Sequence, residues 1–224
     1  MDYSIITSII YIVINLSLLF IFIVGGINIS RGFSYWKNAV FCSIVFVLIV
    51  GSRYARGYDY LHYAAVYANG EGQEQIVFWA FNYFMKNVLG VSKYYIFYFY
   101  AVPFVLSGFR FLENFRRYSK YTFPFFLMAL IYFEECFIRQ AFGFSFIFLF
   151  LDVFIRKEIK VKRKILLCSI LTILILFTHS ANILFIFVFV VMYLTLKKVI
   201  NYKYSILFCS FVHISLLSFM IYRT

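Results

Sequence analysis

Long apolar runs separated by short polar turns organise this sequence. A helix needs roughly 20 apolar residues to cross the hydrocarbon of a bilayer, and fewer where its flanks snorkel or the bilayer thins. By that ruler the pattern predicts crossings at about 4 to 27, 38 to 51, 94 to 109, 122 to 134, 138 to 155, 165 to 178, 180 to 196 and 204 to 222. The runs 38 to 51 and 122 to 134 are short enough to tilt or to be partly re-entrant. Between them, 76 to 91 mixes Trp79, Asn82, Tyr83, Lys86 and Asn87 into its apolar residues and reads as a helix lying flat at the interface. The predicted class is therefore all-α: a polytopic transmembrane helix bundle of about eight membrane segments plus one interfacial amphipathic helix, with 1–224 as a single integral membrane domain.

Composition agrees with the pattern. Of 224 residues, 64% are hydrophobic and 13% charged, against roughly 45 to 50% and about 25% in soluble domains. A water-soluble core does not account for that excess. The first run is too long for a signal-peptide core, and Asp2 gives it no basic leader, so it is expected to stay as a helix.

The formal charge of +12 would suggest nucleic acid in a soluble protein. Here most of the basic residues fall in short turns between apolar runs: Arg31 and Lys37; Arg110, Arg116, Arg117 and Lys120; the stretch 156 to 164; and Lys197, Lys198 and Lys203. Cytoplasmic loops select that pattern, so no nucleic-acid partner is expected. If all four turns are cytoplasmic, the crossings alternate, the N-terminus lies outside, and 52 to 75, 134 to 139 and 178 to 180 form extracytoplasmic connections. Cys42, Cys136, Cys168 and Cys209 stand singly, without ligand spacing, and read as small apolar fillers. No metal cluster, P-loop, dinucleotide fingerprint or Ser/His/Asp arrangement occurs, which argues against an ATP-driven transporter.

The candidate chemistry lies in the extracytoplasmic connections. The first contains Arg53, Arg56, Gly57, Asp59, Tyr60, His62 and Tyr63, followed by Glu71 and Glu74. Two guanidiniums clamp a phosphate, a carboxylate acts as base, and tyrosines stack on sugar rings; the competing reading is an Arg/Asp pair holding a solvated loop together. Arg139 and Gln140 open an apolar helix after Glu134 and Glu135. An arginine at a membrane boundary faces a wet cavity or an anion, or else snorkels or pairs with Glu135. His179 and Ser180 separate two apolar runs, where the imidazole moves a proton or simply caps a helix. His213 reads as structural. Tyr94, Tyr95, Tyr98 and Tyr100 sit where an interfacial aromatic belt belongs.

In this order the pieces resemble the EpsG family of Wzy-like exopolysaccharide and O-antigen polymerases. The matching elements are R-x-x-x-G-x-D-x-x-x-Y at Arg53, Gly57, Asp59 and Tyr63, the acidic Glu74 before an amphipathic stretch, I-R-Q at Ile138, Arg139 and Gln140, and the pair His179 and Ser180. They span about residues 40 to 195. Arg56 and Tyr58 depart from the aliphatic and small residues usual there, and family members continue through several further helices, so a truncated member is implied.

The resemblance implies a bacterial plasma-membrane glycosyltransferase for capsule, exopolysaccharide or O-antigen biosynthesis. It would join undecaprenyl-pyrophosphate-linked oligosaccharide units at the outer face. The bond energy is in the substrate, so no cofactor or metal is expected. Asp59 and His179 become the catalytic candidates, with Arg53, Arg56, Tyr60, Tyr63, Glu74, Arg139 and Gln140 binding substrate. Expected partners are the lipid-linked oligosaccharide, membrane lipids, and other assembly proteins such as a flippase or chain-length regulator. The rivals are a flippase or transporter for the same lipids, a membrane acyltransferase relying on His179, and an inactive truncated homologue.

Overall fold

The computed structural model describes residues 3–52, 60–71, 75–178 and 182–196, and among them every element is helical. The chain divides into two compact units, Met1–His179 and Ser180–Thr224. The first contains α1 (Tyr3–Ser30), α2 (Tyr35–Gly51), α3 (Tyr60–Asn69), α4 (Ile76–Tyr83), α5 (Ile96–Leu112), α6 (Ser119–Cys136), α7 (Ile138–Ile155) and α8 (Val161–Thr178). The second contributes α9 (Ile183–Leu196).

Within the first unit the long helices alternate in direction. Asn28 meets Asn38 across the α1–α2 turn, and Cys42 donates its thiol to the Ile21 carbonyl. The Tyr35 hydroxyl at the start of α2 donates to the Phe109 carbonyl near the end of α5 at 2.6 Å. The legs α5 and α6 double back through a 3-10 turn, Glu113–Tyr118, so that Phe109 packs on Phe123 and Phe104 on Phe126. A single residue, Phe137, breaks α6 from α7 with φ −144° and ψ 53°. The connection expected at 134 to 139 is thus one non-helical residue.

Helix packing relies on small residues. A Cβ on Gly26 of α1 would strike the Ser119 backbone carbonyl of α6, and one on Gly108 of α5 would strike the Phe126 ring. Such close approach is how apolar helices gain dispersion contact where lipid supplies no hydrophobic drive. The main core is aromatic, with Phe22 touching Phe46, Phe109 and Phe123 at centroid distances of 5.8 to 6.5 Å. Outside it, Leu16, Phe20, Phe125, Met128 and Ile165 lie more than half exposed. That surface suits lipid and would be costly in water.

Three stretches are long and apolar enough to cross a membrane: Thr7–Ser30, Ile96–Tyr132 and Ile138–Ile155. The second holds both legs of the α5–α6 hairpin. This is fewer than the eight expected crossings. The runs at 38 to 51 and 180 to 196 form helices of only 17 and 14 residues, α8 opens on Lys162, Arg163 and Lys164, and 204 to 222 lies outside the described residues.

Two further expectations change. Part of the supposed loop 52 to 75 is helix α3, because Tyr60, Tyr63 and Tyr67 recur at helical spacing and are all buried. Gly70, at φ 75°, ends it, its N–H and that of Glu71 both returning to the Val66 carbonyl. The amphipathic stretch is α4 continued by a π-helical turn, Phe84–Val88. Its polar Asn82 is buried rather than displayed.

Candidate functional site

Alternation of the helices gathers Arg31, Lys37, Arg116, Arg117, Lys120 and the cations of the α7–α8 turn at one end of the first unit. At this basic end a four-charge network ties α2, α5 and α7 together. Asp152, 4% exposed in the last turn of α7, accepts both oxygens' worth of hydrogen bonds from Arg156 Nε at 2.8 and 2.9 Å and another from Asn114 at 2.7 Å. Glu113 accepts from Trp36 Nε1 at 2.9 Å, Arg110 Nη1 at 2.9 Å and Arg156 Nη2 at 3.0 Å. Arg110 Nε closes the set 3.4 Å from Asp152. Burial alone would lower the Arg156 pKa, but the hydrogen bonds and charges of Asp152 and Glu113 outweigh it and raise the guanidinium above its ordinary value. The network is satisfied by its own members. Its signal in sequence was the spacing of Arg110 with Glu113 and of Asp152 with Arg156, the three- and four-residue separations that bring side chains together on a helix.

The opposite end is built from α3, α4, the start of α5 and the start of α7. Tyr60 stacks on Phe97 at 4.2 Å, Tyr63 meets Phe78 at 5.7 Å, and Phe78 lies parallel to Tyr100 at 5.2 Å. Phe142 of α7 packs on Phe78 and Phe81 at 5.6 and 4.8 Å. Tyr67 donates to the Val91 carbonyl at 2.7 Å, and burial raises its pKa, so the hydroxyl keeps its proton. Lys86 reaches the Ala68 carbonyl at 2.6 Å, pinning the π-helical turn to the end of α3.

Three polar side chains at this end are incompletely matched, Gln75 before α4 through its buried Oε1. Arg139 stands in the first turn of α7, where free backbone amides and the helix dipole favour an anion; its Nε is buried without a hydrogen-bond partner among the described residues. Asn82 accepts from the Tyr100 hydroxyl at 2.7 Å, yet its buried Nδ2 also has no partner there.

Of the catalytic and substrate-binding candidates from sequence, Tyr60, Tyr63, Arg139 and Gln140 are described, and all four belong to this end. Tyr60 and Tyr63 share one cluster with Ile138, the neighbour of Arg139. Their rings are engaged with Phe97 and Phe78 rather than open to solvent. Gln140 follows Arg139 on α7, half-buried. Arg53, Arg56, Asp59, Glu74 and His179 lie outside the described residues.

Tyr94 and Tyr95 are exposed, as an aromatic belt requires, whereas Tyr100 is fully buried and belongs to the core. Tyr95, Tyr98 and Phe99 line an open cleft of about 530 Å³ with Gly90, Val91 and Ser92. The Asn82–Tyr100 pair was missed as a unit because 18 residues separate its members.

Comparisons with protein-family models, with curated proteins and with solved structures find no match to this chain.

Proposed function

We propose that the chain is a bacterial plasma-membrane polysaccharide polymerase that joins undecaprenyl-pyrophosphate-linked oligosaccharide units at the extracytoplasmic face. The observation that carries this reading is Arg139: a guanidinium with a buried, unpartnered Nε in the first turn of α7, at the end of the bundle opposite the basic turns. By the positive-inside tendency the basic end is cytoplasmic, which makes the Arg139 end extracytoplasmic and the N-terminus external. The short helices α2, α8 and α9 cross as well, helped by tilt and a locally thinned bilayer.

The chemistry follows from charge. A growing glycan leaves its pyrophosphate carrier when a hydroxyl of the next lipid-linked unit attacks the anomeric carbon. The C–O bond to phosphate breaks, and the pyrophosphate departs with its negative charge. Arg139, aided by the α7 dipole, stabilises that leaving group, and Arg53 serves as a second cation. Asp59 takes the proton from the attacking hydroxyl, with His179 as the alternative base. Glu74 and Gln140 orient the acceptor, and Arg56 adds to the anion clamp.

A gene deletion complemented with the wild-type chain tests the reading. Deletion should leave single lipid-linked repeats that the wild type extends into long glycan. Long glycan persisting in the deletion strain refutes it; loss of all repeats from the outer face points to a flippase instead.

A further inference from the structure

Within the first unit, Asn82 is the most deeply buried of the described side chains that keep an unpartnered polar atom. It is 6% exposed, its Oδ1 is taken by the Tyr100 hydroxyl, and its Nδ2 has no partner among the described residues. Turning the amide over does not help, because the hydroxyl then serves the nitrogen and orphans the oxygen. Fold stability does not favour such a group, since an apolar residue of similar shape would fill the space without the desolvation penalty.

The surroundings indicate what would complete it. Phe78 and Phe81 pack on the Tyr100 ring, and Phe142 packs on both of them. The nearest cation on the same segment, Lys86, is committed to the Ala68 carbonyl. A planar amide and a phenol among aromatic faces recognise a sugar, whose C–H faces pack on rings and whose hydroxyls accept and donate hydrogen bonds; a phosphate would call for a free cation.

Two glycine turns flank this segment. Gly70 and Gly90, both at positive φ (75° and 65°), bracket α4 and its π-helical turn. Asn82 sits two residues before the first residue of that π-helical turn, a local geometry found often at functional sites.

We propose that Asn82, oriented by Tyr100, hydrogen-bonds a hydroxyl of the lipid-linked sugar, which reaches it by displacing α4 and its π-helical turn from α3. This rests on the polymerase reading and adds a glycan contact distinct from the pyrophosphate clamp at Arg139.

The test is native mass spectrometry of the full chain with two probes: undecaprenyl pyrophosphate bearing a disaccharide, and undecaprenyl pyrophosphate alone. Asn82→Leu should weaken the glycosylated lipid about tenfold, the loss of one good hydrogen bond, while the bare lipid binds unchanged. Tyr100→Phe keeps the ring and should shift the same preference in the same direction, which guards against a folding defect in the leucine variant. Equal weakening of both probes, or of neither, overturns the assignment. If instead the wild type shows no preference for either undecaprenyl lipid over a plain phospholipid, the polymerase reading itself fails.

Discussion

The two ends of the first unit face the same physical problem, polar groups at the edge of an apolar bundle, and answer it differently. At the basic end, Arg110, Arg156, Glu113 and Asp152 cancel one another's charge and share hydrogen bonds of 2.7 to 3.0 Å with Asn114 and Trp36. At the other end, Arg139 and Asn82 each keep a buried nitrogen and Gln75 a buried oxygen without a partner among the described residues, whereas the basic end has one such atom, Thr122 Oγ1 near the start of α6. A closed network holds helices in register; an open one has hydrogen-bonding capacity left for something else. The difference separates an end whose charges are paired with one another from an end where more buried polar atoms stay unpartnered among the described residues.

Breaking the closed network should therefore have the largest effect on stability. Asp152→Ala leaves Arg156 and Asn114 facing a lost acceptor and should destabilise the protein by about 3 kcal/mol, as removal of one member of a buried ion pair does. The check is thermal unfolding in detergent. Little change would mean that Glu113 suffices alone.

Next comes the close contact beside it. Gly26→Ala pushes a Cβ onto the Ser119 backbone carbonyl, which cannot swing away, and should cost about 1 to 3 kcal/mol. Chemical denaturation against the wild type measures it. The smallest effect is expected at the open end: Tyr67→Phe removes the bond to the Val91 carbonyl and should cost about 1 kcal/mol. Hydrogen exchange should then rise in α3 and α4 while α1 and α6 stay protected, and a uniform rise would erase the distinction between the ends.

Much of this architecture was legible in the apolar pattern. The expected runs 4 to 27, 38 to 51, 94 to 109 and 138 to 155 fall within α1, α2, α5 and α7 apart from a residue or two at their margins, because uninterrupted apolar length leaves helix as the way to satisfy the backbone. The turn after α5 was legible too, from Arg110 to Lys120. What escaped was information carried by pairing across the chain. The α3 helix was hidden because Tyr60 and Tyr63 were read as ring platforms for a ligand and not as a stripe at helical spacing. Asn82 looked like the polar face of an amphipathic helix until its contact with Tyr100 placed it inside. Membrane length was overread: apolar composition predicts helix better than it predicts a full crossing, and α9 with 14 residues is the plain case.

The central claim, that the open end receives a pyrophosphate-linked glycan, is tested most directly by comparing two arginines. In a deletion strain, Arg139→Ala should fail to restore long glycan although the protein accumulates to wild-type levels. Arg117→Ala, exposed at the basic end with the Tyr118 ring beside it at 4.6 Å, should restore it fully. Equal glycan length from the two variants would contradict the account.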